Sequence, residues 1–112
     1  MSLDCSSLRF SGHAVSRMFE RGIRKEDVVH AVNEGEVIQR YPDDRPYPSC
    51  LLLWKASDLV IHVVIVRDDK TGDCYIVTVY KPSLSLWESD YRNRKKRRNA
   101  SFAKPVKPVP AM

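Results

Sequence analysis

The sequence predicts an α+β domain with two N-terminal helices packed on a four-stranded antiparallel sheet, in the order ααββββ. Three observations lead to this prediction. Apolar residues recur with helical spacing as far as Gly35, and the pattern is extended after it. Short polar loops separate the later apolar segments, which favours antiparallel pairing of neighbouring strands. A chain of 112 residues is long enough to bury one hydrophobic core.

The first predicted helix has both of its ends marked in the sequence. Ser11 is suited to the N-cap, and Gly22 is suited to the left-handed conformation that closes a last turn. Between them, His13, Arg17 and Arg21 recur every four residues, so their side chains share one edge of the helix. The helix therefore presents a row of one imidazole and two guanidinium groups.

The second predicted helix begins at Lys25 and ends before Gly35. Glu26 and Asp27 lie in its first turn, where acids suit the positive end of the helix dipole. A tight turn joins the two helices, so we expect a helical hairpin.

The extended segments are expected to form four strands, at residues 37–41, 50–55, 59–67 and 74–80. On the third strand, His62 interrupts an otherwise apolar run. Alternation places His62 on the face away from the helices, where Thr78 and Tyr80 of the fourth strand are able to join it. Trp87, isolated among polar residues, is expected to fold back over one end of the core.

The charge distribution divides the chain into residues 1–90, a single domain, and residues 91–112, a basic, proline-rich tail that we expect to be disordered. The tail holds eight of the nineteen Lys and Arg residues and no acid, so residues 1–90 carry eleven bases, fourteen acids and a net charge of −3. RNA binding is predicted for the basic cluster of the tail, because a flexible basic arm neutralises phosphates. The cluster consists of Arg92, Arg94, Lys95, Lys96, Arg97 and Arg98.

The composition also bounds location and cofactors. No apolar run approaches the roughly 20 residues of a membrane-spanning helix, and no secretory signal is visible. The three cysteines are odd in number and lack CxxC spacing, which argues against a disulfide framework and a structural zinc site. We therefore expect a cytoplasmic protein without a metal, a cofactor or a membrane partner.

Two groups of residues are candidates for chemistry. His13, Arg17 and Arg21 supply a titratable imidazole and two phosphate-binding guanidiniums, which are the parts needed for metal-independent RNA cleavage. The alternative is that the two arginines are solvated or paired with nearby glutamates. His62, with Thr78 and Tyr80, is suited either to proton transfer and phosphate contact or to a structural hydrogen bond.

Three segments of the sequence carry a family resemblance: LRFSGHAVSRMFERGIRKEDVVHAVNEGEVIQRYPDDRPYPSCLLL, then IHVVIV, then YIVTVYKP with Trp87 after it. In these segments the sequence resembles an uncharacterised bacterial domain family related to the RelE, ParE and BrnT toxins of the barnase–colicin–RelE group. It implies a RelE-like fold and RNA-directed activity. The polar positions that it marks are His13, Arg17, Arg21, His62, Thr78 and Tyr80, which form the predicted catalytic set.

Two functions follow from this set. The first is a metal-independent endoribonuclease or a toxin-like RNA-binding module, in which His13 and His62 act as general base and acid. The alternative is a non-catalytic protein-interaction domain in which the histidine and arginines form a structural network. Its partner would be an antitoxin-like protein that adds a strand to the sheet. The first requires that His13 and His62 face one cleft.

Overall fold

The computed structural model describes residues 4–95 and shows an α+β fold with two helices on a five-stranded mixed sheet. The sheet order is β1-β5-β4-β3-β2. The elements in chain order are β1 (Ser7–Phe10), α1 (Gly12–Arg21), α2 (Lys25–Glu34), β2 (Glu36–Tyr41), β3 (Ser49–Lys55), β4 (Val60–Arg67) and β5 (Asp73–Tyr80). The two helices and the antiparallel arrangement of β2 to β5 agree with the sequence prediction.

The prediction of only four strands, all antiparallel, was wrong. β1 precedes α1 and pairs with β5 in parallel, with Phe10 opposite Ile76. A segment of four residues is too short to show a convincing alternation by itself. Its strand conformation depends on a partner more than 60 residues later in the chain, which a local pattern does not reveal.

The caps of α1 agree with the prediction. The Ser11 hydroxyl accepts a hydrogen bond from the Ala14 amide at 3.0 Å. Gly22 takes a φ of 65°, and its amide donates to carbonyls of the last turn. The left-handed turn at Gly22 ends the helix at Arg21, and a side chain at this position would strain the turn.

α1 closes the edge of β5 where β1 stops. The Ser11 amide donates to the Ile76 carbonyl at 3.1 Å, and the Ser11 hydroxyl donates to the Val77 carbonyl at 3.1 Å. One helix length further on, the Arg21 guanidinium donates to the Val79 carbonyl at 3.1 Å. Backbone acceptors that would otherwise be exposed on an edge strand are thus satisfied by the helix.

The sheet has a hydrophobic cluster on each face. The larger one lies under the helices and contains Ile61, Val63 and Ile65 of β4. The smaller one lies on the opposite face, where Trp87 packs on Leu51 and Val64. Trp87 is only 4% exposed, as expected for a residue that folds back over the core.

Cys5 and Cys74 form a disulfide that joins the segment before β1 to β5. This is contrary to the sequence argument against disulfides. An odd number of cysteines excludes complete pairing but does not exclude one bond, and Cys50 remains as a free thiol. The bond links two segments 69 residues apart in the chain.

Neither α1 nor α2 is long and apolar enough to cross a membrane, and no other helix occurs in residues 4–95.

Candidate functional site

His62 lies at the centre of a buried aromatic cluster on the face away from the helices. Its side chain is 0% exposed. Its ring meets those of Tyr80 and Trp87 edge to face, at centroid distances of 5.2 Å and 4.4 Å. The cluster closes around His62 because Trp87 and Tyr91 belong to residues 81–95, which fold back over the sheet after β5.

Both ring nitrogens of His62 have hydrogen-bond partners. Nε2 lies 2.8 Å from the Tyr91 carbonyl oxygen, and Nδ1 lies 3.1 Å from the Tyr80 hydroxyl. Because a carbonyl only accepts, Nε2 carries the proton and the Tyr80 hydroxyl donates to Nδ1. The imidazole is thereby fixed as one neutral tautomer.

Burial reinforces this neutral state. It lowers the pKa of His62 from 6.5 to about 4, with the hydrogen bond to the Tyr91 carbonyl opposing the shift. Burial also raises the pKa of Tyr80 well above its ordinary value. A neutral imidazole with both nitrogens engaged and no exposed surface is a structural hydrogen-bonding group, and it holds residues 81–95 against the sheet.

The predicted association of His62, Thr78 and Tyr80 on one face is present in the strand register. His62 pairs with Tyr80, and Val64 pairs with Thr78. Thr78 is completely buried, and its hydroxyl has no hydrogen-bond partner in the described part of the chain. His62 and Thr78 are thus enclosed, whereas Tyr80 is half-buried with its hydroxyl bonded to His62.

The row on α1 lies along the edge of β5, outside the cluster that encloses His62. Arg17 forms an exposed ion pair with Glu20 at 3.0 Å, and Arg21 donates to the Val79 carbonyl. His13 is partly buried, and its Nε2 has no hydrogen-bond partner among residues 4–95. Within these residues, the row therefore has one arginine bonded to β5, one surface ion pair and one imidazole nitrogen without a partner.

His13 and His62 do not share a cleft. α1 packs along β5 and covers the larger hydrophobic cluster, whereas His62 is enclosed in the cluster on the opposite face. With His62 completely enclosed, one phosphodiester cannot reach both imidazoles in this structure, as a base and acid pair would require.

The first residues of the predicted basic tail contact the domain. Arg92 forms an ion pair with Glu36 of β2, with Nη2 2.7 Å from Oε1. The Arg94 guanidinium lies over the Trp87 ring, 5.4 Å from its centroid. The Lys95 amide donates to the Leu86 carbonyl. The remaining members of the cluster, Lys96, Arg97 and Arg98, lie outside the described residues.

The structure brings together a second group of residues that the sequence analysis missed. The strand register places one residue from each strand side by side across the whole sheet. We call this group the sheet-face row, and it consists of Arg9, Tyr75, Val66, Ser49 and Tyr41. Since Val66 follows Ile65, whose side chain packs under the helices, the row lies on the opposite face. It spans about 19 Å at the usual strand spacing.

Aromatic rings and cations extend the sheet-face row. Tyr47, in the loop before β3, lies almost parallel to Tyr75, with centroids 6.1 Å apart and an interplanar angle of 10°. Burial raises the pKa of Tyr41, and the nearby Arg94 guanidinium partly opposes this rise. Arg9 is exposed at the other end of the row. The open part of this face thus combines tyrosine rings with an arginine at each end.

This group had a weak signal in the sequence. Tyr75 lies between apolar residues of its predicted strand and Tyr41 ends another, but these positions do not select a common face for the two rings. The position of Arg9 depended on β1, the strand that was not predicted.

Residues 4–95 contain no group of three His, Cys, Asp or Glu side chains able to hold a metal ion.

Comparison with known families gives one match. A model described as a domain of unknown function, DUF4258, matches residues 10–81, well over half of the chain. No curated protein and no solved structure shows a significant match. The matched region begins at the last residue of β1 and ends just after β5, so it contains both helices and nearly the whole sheet.

Proposed function

The chain belongs to the DUF4258 family, and we propose that it is an RNA-binding module that holds single-stranded RNA across the sheet-face row. The observation that carries the proposal is the alignment of Tyr75 with Tyr41 and Arg9, all at least partly exposed, on the face away from the helices. This is the RNA-binding form of the RelE-like function that the sequence resemblance implies. It does not use His13 and His62 as an acid and base pair.

Single-stranded RNA exposes the flat faces of its bases, and aromatic side chains recognise these faces by stacking. Tyr75 and Tyr47 are both partly exposed, so their rings are available at the centre of the face. Stacking on such a ring contributes about 1–3 kcal/mol per base. The tyrosines thus supply the main contact with the bases.

Arg9 and Arg94 supply the phosphate contacts at the two ends of the row. Arg9 makes no ion pair among residues 4–95, and Arg94 is held in place over Trp87. The chain continues from Arg94 directly into Lys95 and the rest of the basic cluster. The position of Arg94 supports the proposal because this member of the basic cluster lies beside the face that carries the tyrosines.

The local position of these cations matters because residues 4–95 contain fourteen bases and fourteen acids, with no net charge. Such a domain does not attract RNA through its overall charge. Asp44 accepts a hydrogen bond from Ser49 of the row. A negative charge therefore lies between the two arginines, which stand at the ends of the row. A backbone crossing the row would meet cations at its ends and rings between them.

Fluorescence anisotropy with a labelled single-stranded RNA tests the proposal. Tyr75→Ala is expected to weaken binding about tenfold, since the loss of one stacking contact costs on the order of 1–3 kcal/mol. Phe19→Ala is the matched aromatic control, because Phe19 is 88% exposed on α1, away from the sheet face. Arg9→Ala and Arg17→Ala form the corresponding pair for charge.

Equal losses in the Phe19 and Tyr75 variants, or a larger loss in the Arg17 variant than in the Arg9 variant, would contradict the proposal. The same RNA, incubated with the protein and a chelator and analysed on a gel, tests for cleavage. Cleavage that persists in Tyr75→Ala but disappears in His13→Ala would restore the endoribonuclease hypothesis.

One observation favours the alternative, a non-catalytic protein-interaction domain. Val15 and Phe19 lie one helical turn apart on α1 and are 53% and 88% exposed. The arginine network of this hypothesis is also supported, because Arg21 bonds to β5. The RNA titration separates the two functions, since a protein-interaction domain would show no RNA binding that depends on Tyr75.

A further inference from the structure

A groove of about 470 Å³ opens on the helical side of the sheet, away from the sheet-face row. It lies where the α1–α2 turn, α2, the β3–β4 turn and the residue after β5 meet. Its lining includes Arg24, His30, Trp54, Asp58 and Lys81. This volume is typical of sites that bind small molecules.

Two of these residues form a flat aromatic platform. The rings of His30 and Trp54 are parallel within 8°, with centroids 5.4 Å apart. Trp54 packs against the core under the helices, which anchors the pair. The His30 side chain is 54% exposed, so the ring face that does not meet Trp54 is accessible to a ligand. A planar ligand that lies on this face would extend an existing stack.

Among the described residues, the groove contains two cations, of which Arg24 is paired with a carboxylate and Lys81 is not. Arg24 is oriented by the buried carboxylate of Asp27, which accepts from the Arg24 amide at 2.9 Å and from its guanidinium at 3.1 Å. The guanidinium has five N–H groups, so donors remain for a ligand. Lys81 is exposed and makes no ion pair within residues 4–95. Two positive groups are therefore available beside the platform.

Asp58 supplies an acceptor at the same groove, opposite in charge to Arg24 and Lys81. A ligand that suits all of these groups has a planar ring, an anionic group and a hydroxyl or amino donor. A purely anionic ligand would be repelled by Asp58, and a purely apolar ligand would leave Lys81 without a partner.

We propose that this groove binds a nucleoside 5′-monophosphate. The base lies on the open face of His30, the phosphate contacts Arg24 and Lys81, and a ribose hydroxyl donates to Asp58. The same chemistry occurs in a free nucleotide and in the 5′-phosphorylated end of an RNA. This site is independent of RNA binding on the sheet face, so either proposal can fail without the other.

Calorimetric titration of the full chain with adenosine monophosphate tests the site. Saturable binding at one site is expected, with adenosine about tenfold weaker because it lacks the phosphate. His30→Ala and Lys81→Ala are each expected to weaken binding at least fivefold. Lys70→Ala is the matched control, because Lys70 is exposed in the β4–β5 loop outside the groove lining, and it should leave affinity unchanged.

Two short RNAs of the same sequence, one with a 5′-phosphate and one with a 5′-hydroxyl, identify the source of the ligand. If only the phosphorylated RNA displaces the mononucleotide, the groove takes RNA ends. If neither does, it takes free nucleotides, and both results support the site. Thermal melts of the two variants establish that they are folded.

The proposal is overturned if adenosine monophosphate gives no saturable binding at millimolar concentration. It is also overturned if folded His30→Ala and Lys81→Ala variants bind as tightly as the unmodified chain. A loss of mononucleotide binding in Tyr75→Ala alone would move the nucleotide to the sheet face and likewise reject the groove.

Discussion

At the scale of single residues, His62 shows how a titratable side chain becomes part of the scaffold. The hydrogen bonds to Tyr80 and Tyr91 fix its tautomer, and complete burial keeps it neutral. A histidine in an apolar strand is a reasonable candidate for proton transfer when only the sequence is known. Its burial under Trp87 depends on a residue 25 positions later in the chain and withdraws the imidazole from the surface.

The burial of His62 predicts an acid-sensitive fold. The unfolded chain takes up a proton on this residue near pH 6.5, whereas the folded chain does so only near pH 4. Below pH 6.5 the unfolded state binds more protons, so stability falls as the pH falls, and the loss is complete below about pH 4. Between pH 7 and pH 5 we expect this residue alone to lower the free energy of unfolding by about 2 kcal/mol.

Urea denaturation at several pH values measures this loss. His62→Gln is the control, because glutamine retains a donor and an acceptor but does not titrate. The variant is expected to be less stable at pH 7 and to depend less on pH between 7 and 5. Parallel pH profiles for the two proteins would show that His62 does not carry the effect.

At the scale of elements, β1 and α1 together cover one edge of β5. β1 satisfies the first part of this edge, and Ser11 and Arg21 satisfy carbonyls of the remainder. The four-residue spacing of His13, Arg17 and Arg21 therefore has a structural explanation for at least one member. The sequence predicted their common edge of the helix, but not that this edge would contact β5.

Replacement of the two arginines separates their roles. Arg21→Ala is expected to lower the free energy of unfolding by about 1 kcal/mol or more, because the Val79 carbonyl loses a charged donor. Arg17→Ala is expected to cost less than about 0.5 kcal/mol, since its pair with Glu20 is exposed. Equal costs, measured by chemical denaturation, would contradict the structural assignment of Arg21.

The disulfide gives a second test at this scale. A link between Cys5 and Cys74 closes a loop of about 70 residues, and the chain-entropy relation assigns it a stabilisation of about 4 kcal/mol. A reducing agent should therefore lower the melting temperature of the unmodified chain and have no effect on Cys5→Ser. Cys50→Ser should retain the full response. Mass spectrometry after alkylation without reduction counts the free thiols, and three modified cysteines would contradict the bond.

At this scale, the sequence predicted the features that depend on nearby residues and missed those that depend on residues far away in the chain. The ends of both helices depend on neighbouring residues. Ser11 and Gly22 were sufficient to locate the caps of α1. β1 and the disulfide depend on pairing with β5, far away in the chain. The alternation in β4 correctly placed His62 away from the helices, although the predicted catalytic set still combined it with His13.

At the scale of the whole molecule, the two faces of the sheet differ in what covers them. One face is covered by the helices. The other is covered at one end by residues 81–95 and is open at the other end, where the sheet-face row and Tyr47 lie. The separation of His13 from His62 and the alignment of Arg9 with Tyr75 both follow from this two-sided arrangement. Neither could be read from the sequence, because the first requires the packing of α1 and the second requires the register of all five strands.

The central claim is that RNA binds across the open sheet face and not along the basic row of α1. Titration of the ¹⁵N-labelled chain with a short single-stranded RNA, followed by amide chemical shifts, tests this most directly. The predicted result is that the largest shifts occur at Arg9, Val66 and Tyr75, with little change along α1. Shifts concentrated between His13 and Arg21, with the sheet-face amides unchanged, would contradict the account.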